Sequence, residues 1–203
     1  MDGEEPERRR GVATPQPLRR VLRFFRVRGA VVGAFGDSIS TAPSYADPLA
    51  QLLGVGYGEQ AIGGYKTSDL LAYLKPSMTS RYTDSVLLCG INDVIQSVSA
   101  ATIEANLTLL LAQLNNPVVV CLLPFGNYAG WTSGKEAVRV AVNDWIRANV
   151  AHYVDAETVM GTAGALKPAY DLGDGLHPND AGNSALAQAI FEQGFNSTPL
   201  AEG

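Results

Sequence analysis

Histidine is scarce in this chain: His152 and His177 are the only two in 203 residues. Chemistry that needs an imidazole base therefore has two places to find one. Cysteine is equally sparse. Cys89 and Cys121 each sit inside a strand-like apolar run, which reads as two buried free thiols rather than a disulfide or a reactive pair. Two histidines and two separated cysteines cannot fill a typical zinc site without carboxylates. The chain also lacks any run of about 18 apolar residues, so no stable membrane insertion is expected. An export signal is missing from view as well. Arginine interrupts Val21-Leu22-Arg23-Phe24-Phe25-Arg26, where a signal peptide needs about 7–15 apolar residues and a small-residue cleavage site. A cytoplasmic location is the expectation, with export open if a signal was removed earlier.

What is present suits one folded domain. Hydrophobic residues make up 46% of the chain, enough to bury a full core. Residues 1–28 hold eight arginines and four acids, a net of +4, whereas the whole chain carries −5 and residues 29–203 therefore −9. An acidic body argues against nucleic acid as the partner. The basic segment 1–28 is expected to be a flexible N-terminal extension, with a membrane surface or an anionic partner as the alternative. The domain is expected over 29–203.

Strand and helix signals alternate along that domain. Apolar runs mark strands near Ala30–Gly36, Gly56–Ala61, Ser85–Cys89, Val118–Leu123 and Tyr153–Val154. Helices are expected near Tyr45–Leu53 and from Thr67 to Pro76. Another carries Ile103, Leu107, Leu110, Leu111 and Leu114 on one stripe. Ser133 followed by Glu136 reads as a capping box for a helix with Val138, Val142, Trp145 and Ile146. The last helix starts near Asn179-Asp180 and buries Leu186, Ile190 and Phe191. Continuous β-branched runs between amphipathic helices predict a parallel sheet covered on both faces. The expected fold is α/β: a flavodoxin-like, five-stranded three-layer α/β/α sandwich, with function at the carboxyl ends of its strands.

The polar and glycine-rich signals fall at those ends. Gly36-Asp37-Ser38 follows the first strand, Gly63-Gly64 the second, and Gly90-Ile91-Asn92-Asp93 the third; Asp174-Gly175-Leu176-His177-Pro178 comes after the fifth. A serine nucleophile needs a base, and His177 is suited to it. Asp174, three residues earlier, can reach Nδ1 on a tight turn and leave Nε2 for Ser38. Ser38, Gly64 and Asn92 can supply donors to an oxyanion, each worth about 10²–10³ in rate. Each signal has a plainer reading: Gly-Asp-Ser and Gly-Gly as turns, Asn92-Asp93 as a helix cap, His177 as a surface residue before a helix. Asp155 and Asp171 are alternative acids, and His152, beside Tyr153-Val154, reads as structural.

Taken in order, these four blocks resemble those of the SGNH, or GDSL-type, hydrolase family, over roughly residues 29–195. The resemblance implies Ser38 as nucleophile, His177 as base, Asp174 as its orienting acid, and Ser38, Gly64 and Asn92 as the oxyanion hole. It implies a small-molecule ester substrate and neither a metal nor an organic cofactor, and it sets no oligomeric state. One departure concerns the second block. Family members often carry an asparagine shortly before the glycine, whereas this chain reads Glu59-Gln60-Ala61-Ile62-Gly63-Gly64, so Gly63 stays an alternative to Gly64. Competing motifs are weaker. Gly54-Val55-Gly56-Tyr57-Gly58 follows a helix and precedes a strand, the reverse of a phosphate-binding loop. Gly-X-Ser-X-Gly is absent.

The expectation is a serine esterase acting on short-chain carboxyl esters, with Tyr128 and Trp131 after the fourth strand either lining a substrate pocket or packing their own loop. A carbohydrate O-acetylesterase, a thioesterase or an acyltransferase would use the same machinery. A non-catalytic binding module of the same shape is the alternative from another class.

Overall fold

The computed structural model describes residues 31–195, so the arginine-rich segment lies outside the described residues. Its centre is a five-stranded, all-parallel sheet of order β2-β1-β3-β4-β5. The strands are β1 (Val31–Gly36), β2 (Gly56–Ala61), β3 (Asp84–Leu88), β4 (Pro117–Val120) and β5 (Tyr153–Val154). β1 pairs with β2 from Val31↔Gly56 to Gly36↔Ala61, and with β3 from Val32↔Asp84 to Gly36↔Leu88. Strand order therefore reverses between β1 and β3, and their carboxyl ends flank the crevice where such sheets bind ligands.

Helices cover both faces. α1 (Ala46–Leu53) and α8 (Asp180–Ile190) pack together, with α7 (Glu157–Met160) against α8. α5 (Ala100–Leu111) packs between α2 (Thr67–Tyr73) and α6 (Ser133–Asn149), with the short α4 (Ile91–Ile95) against α6. A single turn of helix, α3 (Pro76–Thr79), leads into β3. This is the three-layer sandwich expected from the sequence. Of the predicted stripe, Ile103, Leu107 and Leu110 are buried in the core, as is Leu114 just past the helix end, while Leu111 is only partly buried against it. Cys89 and Cys121 are buried free thiols, and burial pushes the Cys121 thiol up to about 12.

Sequence details set the edges of these elements. Gly33 and Gly58 are register partners across β1 and β2, and a Cβ on Gly33 would come within 2.7 Å of the Tyr82 ring. Their bare backbones make a slot for that ring, which packs edge-on to Phe35 at 5.4 Å. Its hydroxyl accepts from Gln60 at 3.1 Å.

The fourth strand ends sooner than its apolar run suggests. Cys121–Leu123 stay buried, but β5 has only two residues with which to continue the ladder. Side chains from α6 take over. Asn143 Oδ1 accepts from the Leu122 amide at 2.7 Å, and Asn143 Nδ2 and Arg139 Nη1 both donate to its carbonyl at 3.0 Å.

The capping residue of α6 is Thr132, not Ser133: its hydroxyl accepts from the Lys135 amide at 3.2 Å. Glu136 is thereby free to pair with the fully buried Arg139 at 2.6 Å, and Glu157 closes on the same guanidinium at 2.8 Å. A two-stranded ribbon, β6 (Gly161–Thr162) with β7 (Ala165–Leu166), was not foreseen; two-residue strands carry too little pattern to read.

Candidate active site

Gly36 ends β1 against β3 so closely that a Cβ there would lie 2.0 Å from the Leu88 carbonyl oxygen. Only glycine permits that approach. The chain then turns. The Asp37 carbonyl accepts from the Ser40 amide at 3.0 Å and the Thr41 hydroxyl at 3.1 Å, and Asp37 Oδ1 accepts from the Ile39 amide at 3.1 Å. This turn lifts Ser38, half-buried, to the sheet edge.

His177 arrives from the far end of the chain on a turn of its own. Asp171 Oδ1 accepts from the amides of Gly173 and Gly175 at 2.8 and 3.0 Å. The Leu172 amide donates to the His177 carbonyl at 2.9 Å, and Asn179 ties the loop back through the Ala169 and Asp171 carbonyls, both at 3.1 Å. Gly175 has φ +75°, and a Cβ on it would strike the Asn127–Tyr128 peptide at 2.3 Å. The loop after β4 thus forms the floor under the Asp174–His177 turn.

The three expected residues meet. Ser38 Oγ lies 2.8 Å from His177 Nε2, across 139 residues of chain. His177 Nδ1 lies 2.6 Å from Asp174 Oδ2. Asp174 Oδ1 accepts from the backbone amides of Leu176 and His177, both at 2.9 Å. Desolvation pushes the Asp174 carboxyl up, but the two amides and the His177 ring outweigh it and hold the group below the ordinary carboxylate value. An ionised Asp174 has no proton to offer, so Nδ1 carries the ring hydrogen and Nε2 accepts from the Ser38 hydroxyl. Asp155 and Asp171, the alternative acids, are otherwise engaged: Asp155 pairs with Arg147 at 2.9 Å, and Asp171 supports the loop. His152 is exposed at the start of β5, where its carbonyl accepts from the Val119 amide at 3.0 Å.

On the other side of Ser38, the second and third blocks are bound to each other. Asn92, in the first turn of α4, donates from Nδ2 to the Tyr65 carbonyl at 3.0 Å. Both oxygens of buried Asp93 accept from Thr67, one from its amide and one from its hydroxyl, each at 2.8 Å. Asn106 donates to that same hydroxyl at 2.9 Å. This clamp holds the Gly63–Tyr65 turn, where Gly64 has φ +82°. Gly63 lines the cleft, and a Cβ on it would sit 3.8 Å from Ser38 Cβ, whereas a Cβ on Gly64 would meet no atom within 4 Å. The Asp93–Thr67–Asn106 clamp was missed in the sequence; only the helix-start pattern at Thr67 hinted at it.

A second missed group is Asp37. It is 1% exposed, and its Oδ2 has no hydrogen-bond partner among the described residues. Burial drives its pKa to about 7, against the lowering pull of the Ile39 amide and of nearby His177.

The cleft at Ser38 has a volume of about 290 Å³, and Ile39, Pro43, Gly63, Leu172, His177 and Pro178 are among its walls. Neither Tyr128 nor Trp131 lines it. Tyr128 packs on Phe125 with ring centroids 6.4 Å apart, and Trp131 borders a separate cavity with Asn127 and Glu136. The loop carrying them is used up in supporting the Asp174 turn, so the packing alternative describes Tyr128. Among the described residues no cluster of three or more His, Cys, Asp or Glu side chains is placed to hold a metal ion. No helix there is long and apolar enough to cross a membrane.

Comparison with solved structures finds the same architecture. A GDSL-like lipase from Bacteroides thetaiotaomicron superposes with a TM-score of 0.67 at 17% identity, covering 84% of this chain and 90% of that one. The lipase/acylhydrolase from Enterococcus faecalis gives 0.67 at 18%, covering 80% and 94%. A catalytic mutant of an acetylxylan esterase from Geobacillus stearothermophilus gives 0.64 at 19%, covering 81% and 94%. At these identities the likeness establishes the fold. No curated protein matches the chain in sequence. The model of the GDSL-like lipase/acylhydrolase family matches residues 34–185, which spans every block from the end of β1 to α8, and the chain belongs to that family.

Proposed function

We propose that this hydrolase cleaves carboxyl esters through an acyl-enzyme intermediate on Ser38, with His177 as general base and acid and Asp174 as its orienting carboxylate. The observation that carries the reading is the continuous hydrogen-bonded chain from Ser38 Oγ through His177 to Asp174, at 2.8 and 2.6 Å. Ser38 Oγ attacks the acyl carbonyl and its proton passes to Nε2. The negative charge that develops on the carbonyl oxygen is met by the amide of Ser38, the amide of Gly64 and the side-chain amide of Asn92. The tetrahedral intermediate collapses, and the leaving alkoxide takes the proton from Nε2. Water, deprotonated by the same nitrogen, then attacks the acyl-enzyme, and the acid leaves as Ser38 recovers its hydrogen.

A cleft of about 290 Å³ with Leu172 and Pro43 on its rim suits a short acyl group. Activity on p-nitrophenyl esters is expected to peak at short chains; a steady rise from acetyl to palmitoyl would contradict this. Ser38→Ala is expected to lower kcat by about 10³-fold or more while the thermal melting temperature is kept. A folded Ser38→Ala protein with full p-nitrophenyl acetate activity would overturn the assignment.

A further inference from the structure

On the oxyanion reading above, Gly64 and Asn92 bring donors from two different segments to one point, so whatever fixes those segments to each other fixes the hole. Three hydrogen bonds close a ring between them. Asn92 Nδ2 donates to the Tyr65 carbonyl at 3.0 Å. The next residue, Asp93, accepts from Thr67 twice, Oδ2 from the amide and Oδ1 from the hydroxyl, each at 2.8 Å. Residues 65–67 form one side of the ring and residues 92–93 the other. The Tyr65 amide donates in turn to the Ile62 carbonyl at 3.2 Å, which closes the turn carrying Gly64. A side-chain amide nitrogen has two hydrogens; Asn92 spends one on Tyr65 and keeps one for the substrate.

The sensitive point of the ring is the Thr67 hydroxyl. It has one hydrogen, and Asp93 Oδ1 takes it where both residues are buried. A buried carboxylate oxygen left without a donor is costly. Burial already raises the Asp93 carboxyl above its ordinary value, against the pull of the two Thr67 bonds. Asn106, on α5, decides where that hydrogen goes. Its Nδ2 donates to Thr67 Oγ1 at 2.9 Å, so the hydroxyl accepts on that side and gives its own hydrogen to Asp93. An acceptor in the same place would compete for that hydrogen.

We infer that Asn106 is a positioning residue of the oxyanion hole, acting through the Thr67 hydroxyl on Asp93 and so on the placement of Gly64 against Asn92. It lies outside the four blocks that carry the chemistry in the sequence, and it does not line the Ser38 cleft. Its effect on turnover therefore passes through the ring and not through contact with the ester.

The test measures kcat and KM on p-nitrophenyl acetate, with thermal melts alongside, for Asn106→Ala, Asn106→Asp, Thr67→Ser and Asn92→Ala, and for both Asn106 variants in the Asn92→Ala background. Acylation and deacylation both pass through an oxyanion, so kcat reports the hole whichever step limits it. Asn106→Ala is expected to lower kcat about fivefold. Asn106→Asp, nearly the same shape, is expected to lower it about 30-fold, because two carboxylates then flank one hydroxyl. KM stays within about threefold, and Thr67→Ser, which keeps both donors to Asp93, stays near wild type. A space-filling role predicts the reverse order, with aspartate tolerated better than alanine. The losses shrink by about threefold or more once Asn92 is absent. Aspartate tolerated as well as asparagine, a loss confined to KM, or equal losses in the two backgrounds would each overturn the positioning role. If Asn106→Asp does not fold, Asn106→Ala decides: full kcat, or an equal loss in both backgrounds, overturns it. Wild-type kcat in Asn92→Ala would instead overturn the oxyanion reading, and the positioning role with it.

Discussion

The substitution Asp174→Asn changes one atom in the site and reverses one hydrogen bond. The wild-type carboxylate spends Oδ1 on two backbone amides at 2.9 Å and Oδ2 on His177 Nδ1 at 2.6 Å. The side-chain amide that replaces it can keep its carbonyl oxygen on the two backbone amides and so preserve the turn. Its NH₂ then faces Nδ1, which must become an acceptor, and the ring hydrogen moves to Nε2. That hydrogen points at the Ser38 hydroxyl, so the ring can no longer take its proton. The imidazolium formed during attack also loses its counter-charge. At about 4 Å between charges and an effective dielectric of about 20, that is worth about 4 kcal/mol, or about 10³ in rate. The Asp174 side chain is 47% exposed, so water replaces part of this, and a loss of about 10²–10³ in kcat is the expectation. The assay is initial-rate hydrolysis of p-nitrophenyl acetate, with thermal melts to show that the fold is kept. A variant within about threefold of wild type would mean that Asp174 neither orients His177 nor sets its tautomer.

Two further changes probe the supports. Folded Asp37 holds its proton up to about pH 7, while the unfolded chain releases it near the ordinary value of 3.8. The folded state thus binds the extra proton between those limits, so this group makes stability fall as pH rises through the window, and its cost is complete above about 7. Asp37→Asn is expected to gain stability relative to wild type between about pH 4 and about pH 8, measured by urea unfolding; a constant difference would contradict the burial argument. Gly175→Ala places a methyl against the Asn127–Tyr128 peptide at a residue with φ +75°. A shift of about 1 Å in the His177 turn costs about 10²-fold in kcat, with a lowered melting temperature; unchanged kinetics would mean that the turn is not braced by that loop.

Much of the fold was legible because burial writes itself into sequence. β1, β3 and β4 are covered on both faces and therefore read as apolar runs, while α5 shows one buried stripe. The Ser38–His177–Asp174 contact was legible because only two histidines exist, and only one of them follows an aspartate at turn spacing. What escaped depended on partners far away in the chain. Beyond the end of β4, Leu122 finds its partners in Asn143 and Arg139 on α6, and nothing in Cys121–Leu123 announces them. Thr132 and Ser133 are both good caps by type, and only the backbone geometry chooses between them. The Asp93–Thr67 clamp joins residues 26 apart in sequence, each polar and unremarked alone. Tyr128 and Trp131 follow β4 as read from the sequence, but the Asn127–Tyr128 peptide packs against Gly175 and neither side chain lines the cleft at Ser38.

Covalent capture of the acyl group bears most directly on the role of Ser38. Wild-type protein quenched in acid during turnover of p-nitrophenyl acetate is expected to carry one added acetyl group on the peptide holding Ser38. Ser38→Ala should carry none and His177→Ala little. An adduct on some other residue, or turnover at the wild-type rate with Ser38 replaced, would contradict the nucleophile assignment and the mechanism built on it.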